Sequence, residues 1–392
     1  MRTKWICAGK GDCMENTVKR SHVRAVARAG PVLRALTGVA LALLGCAVLE
    51  GCDKGIDPKP TPKYLLYATM NGYPTGSIAV IDCETDSVIN YVKNMSGNPG
   101  VVASPDGRYF AALASGAPSQ IFDAATRMPV GLLATPGLPL FLPDAGLLLC
   151  PREESTLVYD IPGFTLRESW PRPRDAAERV PGQQQVAAVD WRSWGHGEDL
   201  SKLVFFDYVN YRAVDSLIIE PDSQGIGFQI IHFTFSPDGT RLYALGGQTG
   251  FGAGLVGYDL RTRQVLFRQQ MYGPYGSCQA TPDGREVWAT DPGYPIEDSP
   301  GLPQTIFIFD AYTGILIDTV STRGISPEPY WPIAAREIRI PPDGSKAYVS
   351  CGDFFTGPQP ILVISTATRH IERLIFGDFE TAAWWIDIAP RP

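Results

Sequence analysis

The sequence predicts an all-β fold of seven four-stranded antiparallel blades closed into a ring. Three observations predict it. A strand-ending marker, two apolar residues and an acid followed by a turn, recurs along the chain. A proline-aspartate-glycine turn recurs with it. Turn formers abound, with 40 glycines and 34 prolines among 392 residues, and helical periodicity is nearly absent past residue 60. At 44% hydrophobic and 19% charged, the composition is that of an ordinary globular chain.

The N-terminal segment reads as a targeting signal. Lys19, Arg20, Arg24, Arg28 and Arg34 form a basic region ahead of an apolar run from Ala35 to Leu49. The run suits a signal core and is short for a membrane span. It ends at two Gly-Cys pairs, Gly45-Cys46 and Gly51-Cys52. Both resemble the lipobox of bacterial lipoproteins, in which the cysteine is lipidated and becomes the new N-terminus. Cys46 has the better local match. Cys52 has the better context, because a polar tether begins directly after it, and it is the expected anchor, with Cys46 as the alternative. The expected layout is a lipoprotein signal peptide over 1–51, a flexible tether over 52–62 and the β-domain over 63–392. Removal of 1–51 takes eight Lys/Arg and three Asp/Glu from totals of 34 and 41, leaving 26 against 38 and a net charge of −12. Such a surface argues against nucleic acid as a partner.

The repeats follow. The marker appears as Val80-Ile81-Asp82, Ile121-Phe122-Asp123, Val158-Tyr159-Asp160, Phe205-Phe206-Asp207, Gly257-Tyr258-Asp259 and Ile308-Phe309-Asp310, then as Val363-Ile364-Ser365 without the acid. The spacing averages about 47 residues, the period of a four-stranded propeller blade. Ser104-Pro105-Asp106-Gly107, Ser236-Pro237-Asp238-Gly239, Thr281-Pro282-Asp283-Gly284 and Pro341-Pro342-Asp343-Gly344 mark the turn between first and second strands. Leu142 to Gly146 is a stretched copy. The acids are expected to cap the turns through nearby backbone N–H groups. Residues 231–270 spell one unit in full, with strands at 231–235, 241–246, 255–260 and 264–269.

Tyr64 to Tyr67 reads as a second strand whose first strand is missing, and Ala383 to Pro390 reads as an innermost strand with no blade after it. The C-terminal strand is therefore expected to complete the first blade and close a seven-bladed β-propeller, which removes free edges. The fourth unit is the weak one. Residues 171–200 show no clean Pro-Asp-Gly turn, Pro171 to Gln185 reads as an inter-blade loop, and a six-bladed ring with an insertion is the alternative.

SPDGxxLY followed by VxxYDxxTxxV, clearest at 236–265, resembles the YVTN-type repeat propellers. These are exported bacterial proteins similar in layout to the lactonase-like and amine-dehydrogenase heavy-chain propellers. The nearest spelling of the type motif is Ala347-Tyr348-Val349-Ser350. The resemblance implies the fold and the export route; this fold hosts unrelated activities.

The long connections, Asn71 to Gly76, Trp191 to Asp199, Gly246 to Gly254, Asp291 to Pro303, Gly352 to Pro360 and Thr322 to Arg336, all fall on one face. Tyr73, Trp194, His196, Phe251, Tyr294, Tyr330, Trp331, Phe354 and Phe355 lie on them. Aromatics on loops suit recognition of a protein, peptide or glycan. Signals for catalysis are poor. The three histidines of the mature chain, His196, His232 and His370, form no metal-ligand spacing, and no nucleophile elbow or haem motif is present. Asp291, Glu297 and Asp298 share a loop that reads as a solvated acidic stretch. No cofactor or metal is expected. Cys83, Cys150, Cys278 and Cys351 read as buried thiols in separate repeats, with one disulfide left open as a possibility. The expected function is that of a monomeric, lipid-anchored module of the bacterial cell envelope, periplasmic or surface-exposed, that binds or assembles without catalysis. The alternative is a lactonase-like hydrolase at the channel mouth, where His232 and Asp387 would meet.

Overall fold

A computed structural model describes residues 63–70, 75–96, 100–113, 118–133, 138–151, 155–171, 175–190, 202–219, 228–248, 252–271, 276–291, 305–322, 325, 334–352, 360–377 and 383–392. The proposed signal, both candidate anchor cysteines and the tether lie outside these residues. Among them, every element is a strand, and the strands form seven four-stranded antiparallel sheets.

Blade 1 contains β1 (Tyr64–Met70), β2 (Thr75–Asp82) and β3 (Ser87–Ser96), with β28 (Ala383–Pro390) as its innermost strand. Blade 2 runs β4 (Gly100–Ala103), β5 (Tyr109–Leu113), β6 (Ser119–Asp123) and β7 (Pro129–Leu133). Blade 3 runs β8 (Leu140–Leu142), β9 (Leu147–Pro151), β10 (Ser155–Asp160) and β11 (Thr165–Pro171). Blade 4 runs β12 (Asp175–Arg179), β13 (Gln185–Asp190), β14 (Lys202–Asp207) and β15 (Arg212–Ile218). Blade 5 runs β16 (Gln229–Phe235), β17 (Arg241–Gln248), β18 (Gly252–Asp259) and β19 (Gln264–Met271). Blade 6 runs β20 (Cys278–Ala280), β21 (Glu286–Asp291), β22 (Thr305–Asp310) and β23 (Leu316–Ser321). Blade 7 runs β24 (Ala335–Arg339), β25 (Lys346–Cys351), β26 (Ile361–Ser365) and β27 (Ile371–Ile375).

The recurring acids are turn builders. Asp123 Oδ1 accepts from Thr126 N–H at 2.7 Å, Asp310 Oδ1 from Thr313 N–H at 2.8 Å, and Asp259 Oδ1 from Arg261 and Thr262 N–H at 2.8 Å. In the proline turns, Asp238 Oδ1 accepts from the Ser236 hydroxyl at 2.5 Å and from Thr240 N–H at 3.1 Å. Thr281 and Asp283 repeat the first contact at 2.6 Å. Glycine suits the end of each of these turns: Gly107, Gly239, Gly284 and Gly344 sit at φ between 66° and 74°, a region that side chains disfavour.

Each blade packs on the next through its own apolar cluster. At the closure, Tyr348, Ile361 and Val363 of blade 7 meet Leu66, Ala79 and Ile81 of blade 1. The Tyr348 hydroxyl donates to Asp86 Oδ1 at 2.6 Å, and Lys346 Nζ lies 2.6 Å from Asp86 Oδ2. In the first blade, β28 pairs along β1, with Tyr64 opposite Pro390 and Ala68 opposite Ile386. The ring is thus closed by strands from the two ends of the domain.

Two local expectations are corrected. Pro171 to Gln185 is not an inter-blade loop: it holds β12, the innermost strand of a complete fourth blade, and its turn. That turn, Val180-Pro181-Gly182-Gln183, keeps the proline and a glycine at φ 70° but lacks the aspartate. Gly246 to Gly254 is largely strand, because β17 reaches Gln248 and β18 begins at Gly252. The glycines allow this, since a Cβ on Gly246 would lie 1.8 Å from the Gln229 carbonyl oxygen on β16. Cys83 is half-buried and Cys150, Cys278 and Cys351 are buried, all four as free thiols.

Candidate functional site

The seven innermost strands line a central channel that encloses about 840 Å³. Side chains on a strand alternate between its faces, so each strand sends every second residue inward. Counting back from the turn proline gives the register. The residues three positions before it form one row: Val102, Leu140, Glu178, Thr234, Gln279, Arg339 and Asp387, one per blade, all on the channel wall. Five positions before it lies a second row, to which Leu138, His232, Ser277, Glu337 and Trp385 belong. The first row is apolar on blades 2 and 3 and polar on the other five.

Most of the polar side chains bond to the backbone of the next blade. Asp387 Oδ2 accepts from Ala103 N–H at 2.7 Å, and Glu337 Oε2 from Ile386 N–H at 2.9 Å. Ser277 Oγ accepts from Ile338 N–H at 2.8 Å, Gln279 Oε1 from Ile340 N–H at 2.7 Å, and His232 Nδ1 from Cys278 N–H at 3.3 Å. These contacts stitch blades 5, 6, 7, 1 and 2 together along the channel. They satisfy inner-strand N–H groups that would otherwise be unpaired.

Arg339 is the cation at the centre of this wall. Its Nε lies 3.2 Å from Asp387 Oδ1, one terminal nitrogen lies 3.6 Å from Glu337 Oε1, and the other donates to Ile338 O at 3.0 Å. Burial works against its charge, but Glu337, Asp387 and Glu178 outweigh burial and hold the guanidinium firmly protonated. Burial pushes Glu337 up, against the opposing pull of Arg339. Burial, with the charge of Arg339, pushes His232 down to about 3. With Nδ1 accepting, its proton sits on Nε2, and the ring is neutral at physiological pH. Burial raises the Cys278 thiol far above its ordinary value, so it is no nucleophile.

Glu178 differs from the rest. No hydrogen bond to its carboxyl is present among the described residues. Burial pushes it up to about 8, with Arg339 pulling the other way and Asp387 adding to the rise.

His232 and Asp387 therefore share the channel but form no dyad: they occupy different rows and bond to different neighbours. Glu178, Glu337, Arg339, Ser277 and Gln279 escaped the sequence reading. The register counted from the turn proline would have found them. Tyr73, Trp194, His196, Phe251, Tyr294, Tyr330, Trp331, Phe354 and Phe355 lie outside the described residues, as do Glu297 and Asp298. Asp291, which ends β21, is fully buried. Among the described residues no group of three or more His, Cys, Asp or Glu side chains is arranged to hold a metal.

Ring, closure and lined channel define the chain as a seven-bladed β-propeller. Known structures share that fold. Hydrazine synthase of Kuenenia stuttgartiensis superposes with a TM-score of 0.55 at 13% identity, over 78% of this chain and 93% of that one. Dihydro-heme d1 dehydrogenase NirN in complex with DHE gives 0.54 at 14%, over 82% and 74%. The β-propeller domain of Cps50 (Swd1) from Myceliophteria thermophila gives 0.52 at 15%, over 72% and 87%. At these identities the likeness is one of fold alone. No family model and no curated protein matches the sequence.

Proposed function

We propose that the protein is a YVTN-like, lipid-anchored propeller of the bacterial cell envelope. It would act as a non-enzymatic binding or assembly module through the face that carries its longer connections. One observation carries the reading. The channel groups that a hydrolytic centre would need, His232 and Asp387, are taken up by the backbone of the neighbouring blade. A general base must reach a substrate proton with a pKa near the working pH, and His232 meets neither condition. Function then falls to the connections. Those from second to third strand and from fourth strand to the next blade share one end of the ring, because strands within a blade alternate in direction. That end carries 191–201, 292–304 and 322–334, whereas the first-to-second turns are only as long as 104–108 or 236–240.

Peptide and glycan arrays probed with the processed protein test this. A defined ligand class should be retained, and Trp331→Ala and Phe354→Ala should each weaken it at least tenfold without changing thermal stability. Binding that survives both substitutions, or no binding at all, contradicts the loop-face reading. Cys52→Ala should release the protein from the membrane fraction; if Cys46→Ala does so instead, the anchor is misassigned.

A further inference from the structure

Among the described residues, the channel holds one carboxyl that the fold leaves without a hydrogen bond. Arg339 is saturated by two carboxylates and a carbonyl. Arg336 donates to Gly352 O at 2.8 Å, and Arg179 lies 2.5 Å from Asp144. Asp387 and Glu337 are held by backbone N–H groups of the next blade. Among the described residues, Glu178 alone of the channel carboxyls Glu178, Glu337 and Asp387 has no hydrogen bond. It faces Arg339 and Asp387 across the ring, and its charge is felt at Cys278. His232 on β16 is neutral, and Arg179, next to Glu178 on β12, turns to Asp144.

The surroundings specify what would bind there. In the same row, Glu178 borders the apolar arc of Leu140 and Val102, and Leu138 of the second row also lines the cavity. With Glu178 ionised, the carboxyls of Glu178, Glu337 and Asp387 all bear on one guanidinium, that of Arg339. An anion would meet cations that already bond within the fold. An organic cation would supply the missing counter-charge and the missing donors together. We propose that the channel binds a small organic ammonium compound, with its charged nitrogen on Glu178 and its apolar body against Val102, Leu138 and Leu140. Binding selects the ionised carboxyl, so the proton held by Glu178 leaves to solvent as the ligand enters. The site is separate from the loop face and stands or falls independently of it.

Calorimetric titration of the full processed chain tests the proposal with three probes of one shape: cyclohexylmethylamine, cyclohexylmethanol and cyclohexanecarboxylate. The amine should bind at least tenfold more tightly than the alcohol, and the carboxylate should not bind. Because the competent state is the ionised one, amine affinity should rise by roughly two orders of magnitude from pH 6 to pH 9, with release of up to about one proton measured in two buffers of different ionisation enthalpy. Glu178→Gln should abolish both the preference for amine and the proton release, leaving the alcohol unaffected. The wild-type pH series needs no variant and decides the matter even if that substitution perturbs folding. Equal binding of amine and alcohol, preference for the carboxylate, failure of the amine to bind, or an amine affinity indifferent to Glu178→Gln would each overturn the proposal.

Discussion

Replacing Asp387 separates a structural channel from a catalytic one. In Asp387→Ala, the Ala103 N–H loses its acceptor at 2.7 Å, and Ala103 is only 6% exposed. An orphaned buried donor costs about 1–3 kcal/mol. Arg339 also loses its nearer carboxylate and keeps Glu337 at 3.6 Å. Breaking a well-buried pair costs about 3–5 kcal/mol, and less here, because Glu337 still compensates the charge. The two losses share one side chain and do not add, so the expected destabilisation is about 3–5 kcal/mol. Asp387→Asn keeps an acceptor for Ala103 and should cost about 1–2 kcal/mol. Urea unfolding followed by tryptophan fluorescence reads both values from the shift in midpoint at constant slope. A catalytic carboxylate behaves in the opposite way, since its removal commonly leaves stability unchanged or raised. An Asp387→Ala midpoint within about 0.5 kcal/mol of wild type would refute the structural assignment.

Other substitutions probe the ring elsewhere. Tyr348→Phe removes the hydroxyl that binds Asp86 at the closure and should cost about 1.5–3 kcal/mol, whereas Tyr67→Phe removes a buried hydroxyl with no hydrogen-bond partner among the described residues and should be neutral or stabilising by about 1 kcal/mol in the same urea assay. Gly246→Ala would drive its Cβ into the Gln229 carbonyl and should lower stability by about 3 kcal/mol, seen as a fall in melting temperature. Glu178 is raised from 4.5 to about 8 on folding, so the folded chain holds a proton that the unfolded chain has lost between those values. Relative to Glu178→Gln, the wild type should therefore lose stability as pH rises from 4.5 to 8, because His232, held down to about 3, contributes an opposite slope below 6.5 in both proteins. The gain at pH 8 should be on the order of 1–3 kcal/mol, allowing for partial solvation of the carboxyl.

The fold was legible because it is written in turns. Pro237-Asp238-Gly239 and Tyr258-Asp259 are local devices, and local geometry repeats whenever a blade repeats. The fourth blade was obscured for the same reason: Pro181-Gly182 makes the turn without the aspartate that marks the others. The glycines after Leu245 suggested a loop, because a glycine that lets two strands approach closely looks the same in sequence as one that bends the chain. The channel was harder to read. Its first row holds seven different residues, from Val102 to Asp387, and a position that never repeats leaves no periodic signal. His232 and Asp387 were placed on the right wall, but their hydrogen bonds reach the backbone of other blades, which no local pattern encodes. Glu178 has no local signature either. It stands out only when the ring brings β12 opposite β24 and β28.

Turnover tests most directly whether the channel residues are structural. The processed protein should be assayed against a panel of lactones and carboxylic esters, beside a folded His232→Ala variant. Hydrolysis no faster than the uncatalysed rate is expected for both proteins. Turnover by the wild type that His232→Ala abolishes, with melting temperature unchanged, would contradict the assignment and make the channel mouth an active site.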